Sequence, residues 1–525
     1  MSNQNRRRLL RPSLVPGAVV LALVASPAWA QTTAPPTVLP DPATVVQQQA
    51  QAPAGPVLEL SMDEAVNLAM QHNLGLQSAR LNLDVASTNI AATRAAFLPS
   101  LTTSLSRNTS QAQGFRNADG TTSVTSATRL DGGSRMNGVL PWYGTAYTVN
   151  WNAARRETPG ASASFNPSLN SSFSFNLNQP LWGGLLIDSQ RFNLESNQRG
   201  QVIADLNVRQ AQVQLEAGVR SAYLTLVAAR EQFAVTQQNL ELAEQSLRNS
   251  RARVEVGVAP QTDVIGDEAA VASSRVQVIQ AEAAIDQAED NLRAIVLDPN
   301  RPDYWEVNLV PTDQILLAER EIDLEAVIAN AMANRIDRQI TVRDMELEDL
   351  GLRVAKDNTR PTLDFGLTYN AGAFGGRSVE LGDISFGSVL GDTFGGRYPS
   401  WTTGLSFSYP IGRTSAEAAF ARAQIQRRQS DIALRELDLQ IVREVRDAVR
   451  QVENAFRQVE AARVALQASE LNLEAEQRKL EVGLSRSLDV QLLQQRLADA
   501  RIRELNAIIG YNRALINLDR IQIVR

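Results

Sequence analysis

Apolar residues recur every seven positions through Val264, Val271, Val278, Ile285 and Leu292. Three positions on, mostly small residues fall at Asp267, Ser274, Ala281, Ala288 and Ile295. A sevenfold repeat with small partners on the second seam predicts helices in close coiled-coil contact. Proline spacing supports long helices: none occurs between Pro180 and Pro260, nor after Pro410. Proline breaks a helix interior, and the stretches between are rich in Ala, Leu, Glu, Gln and Arg. From Asp188 to Val256 a single helix would reach roughly 100 Å. A second pattern has period two. Leu363 to Tyr369, Trp401 to Tyr409 and Ser172 to Asn178 alternate large apolar residues with Ser, Thr, Gly, Asp or Asn, as strands with one greasy face do.

The chain repeats itself. Ala69-Met70 matches Ala331-Met332, Leu98-Pro99-Ser100-Leu101 matches Arg360-Pro361-Thr362-Leu363, and Val254 to Gly257 matches Leu480 to Gly483. The second seam begins at Val490, and its small positions recur at Ala500, Ala507 and Ala514. An interval that stays constant across a helix pair and its turn indicates an internal duplication. Residues 58–298 form the first repeat, with a β-hairpin in 99–182. Residues 299–321 form a connector. Residues 322–525 form the second repeat, with a β-hairpin in 361–411. Each half is expected to run helix, β segment, very long helix, tight turn, helix. The hairpins are expected to carry Gly-rich polar loops, Gly114 to Gly138 and Gly372 to Gly396, with one additional strand in 139–157. Paired amphipathic strands with Trp182, Trp401 and Tyr409 near their ends fit transmembrane hairpins. Four such strands cannot close a barrel, and open edges cannot face lipid, so copies of the chain must pool their strands.

The N-terminus changes the setting. Arg6, Arg7, Arg8 and Arg11 precede the apolar Val15 to Val24 and an Ala28-Trp29-Ala30 ending, the pattern of a secretory signal over residues 1–30. Residues 31–57 form a Pro-rich linker with too little apolar surface to build a core. Composition then limits the chemistry. With no Cys and one His, thiolate nucleophiles and sulfur or imidazole metal clusters are excluded, so neither metal nor cofactor is expected. The absent Cys also leaves no lipoprotein anchor. Arginines are interspersed with acids and form no basic stripe for nucleic acid. No catalytic dyad or nucleotide loop appears, and an enzyme is not expected.

Residues 58–525 resemble the outer membrane factors of the TolC type. The resemblance is carried by the duplicated Leu-Pro-Ser-Leu and Arg-Pro-Thr-Leu entries, by Asn178-Gln-Pro-Leu-Trp182 with Tyr409-Pro-Ile411, and by the paired turns Val256 to Val264 and Val482 to Val490. It implies an α+β membrane protein: a homotrimer with a long α-helical coiled-coil barrel in the periplasm and a twelve-stranded transmembrane β-barrel, four strands per chain. The implied function is the exit duct of a tripartite efflux or type I secretion system. The implied partners are two further copies, a periplasmic adaptor, an inner-membrane pump of the resistance-nodulation-division or ABC type, and outer membrane lipid. A periplasmic coiled-coil adaptor or structural protein without a pore is the alternative.

The resemblance also assigns roles at the two turns. Val256, Gly257, Val258, Val482, Gly483 and Leu484 match the adaptor-docking positions, although glycine also caps helices for purely conformational reasons. Asp263, Arg486 and Asp489 are the expected periplasmic gate: the family's gate aspartate matches Asp489, which would form a ring of three carboxylates, its arginine falls on Ser485 with Arg486 displaced by one, and its second acidic position falls on Leu492. Arg486 is expected to pair with an acid of the neighbouring hairpin, Asp263. His72 reads as an ordinary helix residue, and Glu346, Glu348 and Asp349 as a solvated helix face.

Overall fold

A computed structural model describes residues 56–525 apart from 117–121, 159–163, 259, 314–316, 379–381, 410, 413 and 524–525. The expected signal and nearly all of the linker lie outside the described residues, which belong to one unit, Gly55–Arg525. Nine helices are described: α1 Met62–His72, α2 Leu74–Ala95, α3 Ser189–Glu255, α4 Gln261–Val296, α5 Leu324–Asn334, α6 Ile336–Asp357, α7 Phe386–Phe394, α8 Ser415–Glu481 and α9 Ser487–Gln522. The strands are β1 Val57–Leu60, β2 Ser100–Arg116, β3 Thr122–Val139, β4 Ala146–Glu157, β5 Ser168–Pro180, β6 Asn308–Pro311, β7 Thr362–Gly376 and β8 Pro399–Ser408.

The duplication is exact to the residue in helix length. α1 and α5 each have 11 residues and α2 and α6 each have 22. α3 and α8 each have 67, and α4 and α9 each have 36. The heptad positions face inward as the pattern requires. Val264, Asp267, Val271, Ser274, Ala281, Ala288 and Leu292 are all buried, as are Val490, Leu497, Ala500 and Leu518. Small side chains at alternate layers let α4 lie close along α3. Each long helix also starts on a side-chain cap: Asp188 accepts from the Arg191 amide, and Thr414 forms a capping box with Glu417.

Two clusters pack the middle of the chain. In the first, Val219, Tyr223 and Leu226 of α3 meet Leu292 and Val296 of α4 and Leu309 of β6. In the second, Ile441, Val445 and Val452 of α8 meet Tyr511 and Leu518 of α9. β1 pairs with β6 in parallel, so the connector returns to the start of the first repeat. Tyr223 donates to the Leu60 carbonyl and accepts from the Asp313 amide, and Arg293, buried beside Glu289, donates to the Val307 carbonyl.

The larger sheet departs from the four-strand expectation. It has six strands in the order β2-β3-β4-β5-β7-β8, antiparallel throughout. Two strands, not one, are added to the first repeat: β4 covers most of the strand-like 139–157 segment, and β3 occupies what reads as a Gly-rich loop, Gly114 to Gly138. The reason is that β3 carries few large side chains, with Gly, Ser and Thr at half of its sites, so period two barely shows; pairing to β2 along its length and to β4 from Thr128 onward holds it extended. The other expected loop, Gly372 to Gly396, holds the end of β7 and all of α7, which lies against β5 and β7.

Candidate functional site: two helical tips and an amphipathic sheet

Both turns between long and return helices are built alike. At the first, the Gly257 amide donates to the Val254 carbonyl at 2.9 Å and the Val258 amide to the Arg253 carbonyl at 2.9 Å. At the second, Gly483 donates to Leu480 at 3.1 Å and Leu484 to Lys479 at 2.8 Å. These are paired Schellman bonds, which close the helix end and need a left-handed residue. Gly257 at φ 78° and Gly483 at φ 75° supply it. Nothing lies within 4 Å of a Cβ added at either, so the requirement is conformational and not steric. The flanking Val256, Val258, Val482 and Leu484 are 71%, 74%, 69% and 79% exposed, leaving two aliphatic knobs beside each glycine in one chain.

The three gate residues sit just past these turns. Asp263 and Asp489 each occupy the third residue of a return helix, α4 and α9, where a carboxylate also favours the helix dipole. Arg486 is the residue preceding α9, and no ion pair is described between it and Asp263 or Asp489 within one chain. The structure adds tip residues that the sequence did not single out. Asp267, one turn beyond Asp263, is 1% exposed and accepts from Ser246 across the α3–α4 seam. Burial pushes its carboxyl up, against the hydrogen bonds of Ser250 and Ser246, and the nearby Asp263 pushes it the same way. Its place in the heptad seam was the available signal. At the second tip the Ser485 hydroxyl donates to Glu476 of α8 at 2.6 Å and Lys479 lies 2.9 Å from it. Both hold the Glu476 carboxyl below its usual range.

At the other end of the long helices, the six-stranded sheet gathers its large rings on one face, with Arg107, Arg155 and Glu157 on that same side farther from the helices. Register places Tyr147, Val149 and Trp151 beside Leu177, Phe175 and Phe173, and beyond them Leu367, Tyr369, Leu405 and Trp401. Rings run across this face: Phe173 and Tyr369 are 6.3 Å apart, Tyr369 and Trp401 4.4 Å, and Phe394 of α7 lies 6.1 Å from both Trp151 and Phe173. The opposite face carries Asn and Ser. There Arg135 donates to Asn150 at 2.7 Å, Asn150 to Ser174 at 3.3 Å, and Thr368 to Asn176 at 2.9 Å. A ring-rich face backed by a polar ladder is what a strand between lipid and a wet lumen requires.

Elsewhere, Asp349 and Glu348 do not form a free solvated face: Asp349 accepts from Arg427 at 2.6 Å and Glu348 from Ser430 at 2.7 Å, joining α6 to α8, while Glu346 pairs with Arg343. Period 3.6 alone cannot separate water from a neighbouring helix. His72 lies 4.0 Å from Asp298. No described helix is long and apolar enough to cross a membrane, and no metal-binding cluster occurs among the described residues.

Comparison with known proteins decides the family. The sequence profile of the outer membrane efflux protein family matches residues 65–296 and 349–522. The chain belongs to that family. Solved structures with the same fold include the CmeC outer membrane channel of Campylobacter jejuni, at 16% identity and TM-score 0.62 over 88% of this chain and 85% of that one. The outer membrane protein VceC of Vibrio cholerae aligns at 14% identity and TM-score 0.61, covering 88% and 95%. The MtrE outer membrane channel of Neisseria gonorrhoeae aligns at 17% identity and TM-score 0.60, covering 88% and 88%. As an outer membrane efflux protein, the chain is an outer membrane exit channel of tripartite efflux systems, extending into the periplasm. The adaptor alternative falls away.

Proposed function

We propose that three copies of this outer membrane efflux protein assemble into one duct, whose sheets form the membrane channel and whose long helices form the periplasmic tunnel. The observation that carries this reading is continuity: four strand ends run into helices, β5 into α3, β8 into α8, α2 into β2 and α6 into β7, so an amphipathic sheet with open edges continues directly into helices of 67 residues. Both halves lack neighbours within one chain. β8 is exposed along its whole length, and Val202, Ile425, Ile432, Leu439 and Val464 of the long helices remain exposed. A closed ring of copies satisfies both.

In this reading the two tips form the periplasmic mouth. The exposed aliphatics beside Gly257 and Gly483 receive the periplasmic adaptor, which links the duct to an inner-membrane pump. Asp489 is repeated three times around the constriction and attracts cations there. Arg486 pairs with Asp263 across neighbouring hairpins, and loss of that pairing accompanies opening. Conduction is passive, and cargo choice rests with the pump.

Planar-bilayer recording of the purified oligomer tests the gate. Asp489→Ala lowers cation preference, and Arg486→Ala raises resting conductance. If both variants keep the conductance and selectivity of the parent, Asp263, Arg486 and Asp489 are not the gate.

A further inference from the structure

The first repeat carries a second hairpin, β3–β4, that is tied to no helix. We propose that this hairpin is part of the membrane wall, so that the duct closes as an eighteen-stranded barrel of three six-stranded sheets rather than a twelve-stranded one. The inference rests on the trimeric duct proposed above and concerns the size of its outer exit.

Four observations converge on it. First, β3 and β4 sit inside the sheet and not at its rim: β3 pairs with β2 from Ser100↔Asn137 to Arg116↔Thr122, and β4 with β5 from Ala146↔Asn178 to Arg156↔Ser168. Removing them from the wall would require β2 to leave β3 and find β5. β4 has 12 residues, enough to span a bilayer core at the usual tilt.

Second, from Met136 and Trp151 to the helical end the faces of β3 and β4 continue those of the other strands, while the Arg155–Glu157 pair ends the apolar side of β4 at its far end. Met136, Val149 and Trp151 fall on the ring-rich face, and Asn137, Arg135, Thr148 and Asn150 on the polar one. The ladder Arg135, Asn150, Ser174 crosses from β3 through β4 to β5 without changing side. Tyr147 lies over Gly138, where an added Cβ would come within 2.7 Å of its hydroxyl, so the two strands are fitted to one another.

Third, the β3–β4 turn is seated at the helical end of the sheet. Leu140 donates to the Thr145 carbonyl to close it, with Tyr143 at φ 57° and Gly144 at φ 66°. Gln179 of β5 donates to the Tyr143 carbonyl at 3.0 Å, and Thr145 donates to Gln179. A Cβ on Gly144 would meet the Asp188 carboxylate that caps α3 at 3.0 Å. Trp142 and Tyr143 are both 58% exposed at the level where Trp182 also stands exposed. Exposed Trp and Tyr mark the edge of a bilayer.

Fourth, the open edges fit each other. β2 starts at the helical end and β8 finishes there, so β8 of one copy lies antiparallel to β2 of the next. A barrel widens with strand number. At strand spacings near 4.8 Å and tilts near 40°, eighteen strands enclose a Cα cylinder about 36 Å across, against about 24 Å for twelve. The tunnel below keeps the same helices, so the outer exit flares relative to it.

The chain has no cysteine, so single cysteines report cleanly. A fluorophore is attached in turn to M136C, V149C, N137C and T148C of β3–β4, and to F175C, L367C, S174C and T368C of β5 and β7, in full-length oligomer reconstituted in vesicles. Brominated lipid and aqueous iodide serve as quenchers. Each variant is first required to keep its oligomer band in unboiled gels. The expected result is alternation in both sets: lipid quenching at Met136, Val149, Phe175 and Leu367, iodide quenching at the other four. Alternation in β5 and β7 with uniform iodide quenching in β3–β4 overturns the eighteen-stranded barrel and leaves the duct standing. Loss of alternation in every strand overturns the duct itself. Electron cryo-microscopy of the oligomer in nanodiscs gives an independent reading, and a barrel near 24 Å across rejects the proposal.

Discussion

Gly257 and Gly483 show how little a side chain needs to do to shape this molecule. Each holds a left-handed turn with open space around its α-carbon, so replacing either by Ala introduces backbone strain without a clash. A cost of about 1 kcal/mol per site is expected, from the conformational penalty alone. Hydrogen exchange should speed up at 252–264 in Gly257→Ala and at 478–490 in Gly483→Ala, with the rest of the chain unchanged; unaltered exchange at the turns would show that the Schellman closure contributes nothing. Asp267 is a different case. Its carboxyl is raised above the usual range by burial, so the folded chain favours the protonated form. Stability from this group is full at pH values below the ordinary carboxylate pKa and is lost as pH rises from there through the raised folded value. Asp267→Asn keeps the shape and removes the titration. Tip exchange in that variant is expected to be slower than in the parent at pH 7 and to lose its pH dependence across this window, and equal pH profiles would contradict the assignment.

Helices and strands differ in how plainly they announce themselves. Helix extents were readable because a long helix needs many consecutive residues without Pro and with an apolar seam, and both conditions are local. Along the seam Val264, Val271 and Leu292 are buried and Val278 and Ile285 half-buried, as its spacing demands. Leu292, 0% exposed between α3, α4 and β6, should cost about 2–5 kcal/mol on truncation to Ala, as buried leucines do. Its effect is read as a lower unfolding temperature of the oligomer, and a shift no larger than that of the 62% exposed Ile279→Ala would count against this core. Strands were less legible. β5, β7 and β8 carry runs of alternating Phe, Tyr, Trp and Leu, as at Phe173 to Leu177 and Leu363 to Tyr369, but β3 has mostly Gly, Ser, Thr and Arg between Val124 and Met136. Its extended form comes from partners on both sides, a non-local cause that alternation cannot report. α7 was hidden for a related reason: with 9 residues it is too short to show a helical period, and it is held by Val389 and Phe394 against the sheet.

At the scale of the whole molecule, the exposed edges and helix faces make the single chain an incomplete object. Unboiled gel electrophoresis of outer membrane fractions is expected to give an oligomer of three processed chains, each lighter than the 57.3 kDa of the full sequence, that collapses to the monomer on boiling. A monomer recovered from the soluble periplasm would refute the shared duct. The candidate site was legible in part. The turns at Gly257 and Gly483 stood out because duplication placed the same motif twice. Asp267 and the Ser485–Glu476 bond did not, since each depends on a residue from the opposing helix.

By itself the sequence determined the duplication, the long helix from Asp188 to Val256, the tip turns and the lack of cysteine, because each follows from residues near one another or from composition. Only the tertiary structure decided that the sheet has six strands and that β3–β4 lies between β2 and β5 with its turn against the start of α3. Strand pairing joins residues far apart in the chain, and the hydrogen bonds that hold a side-chain-poor strand belong to its neighbours as much as to itself.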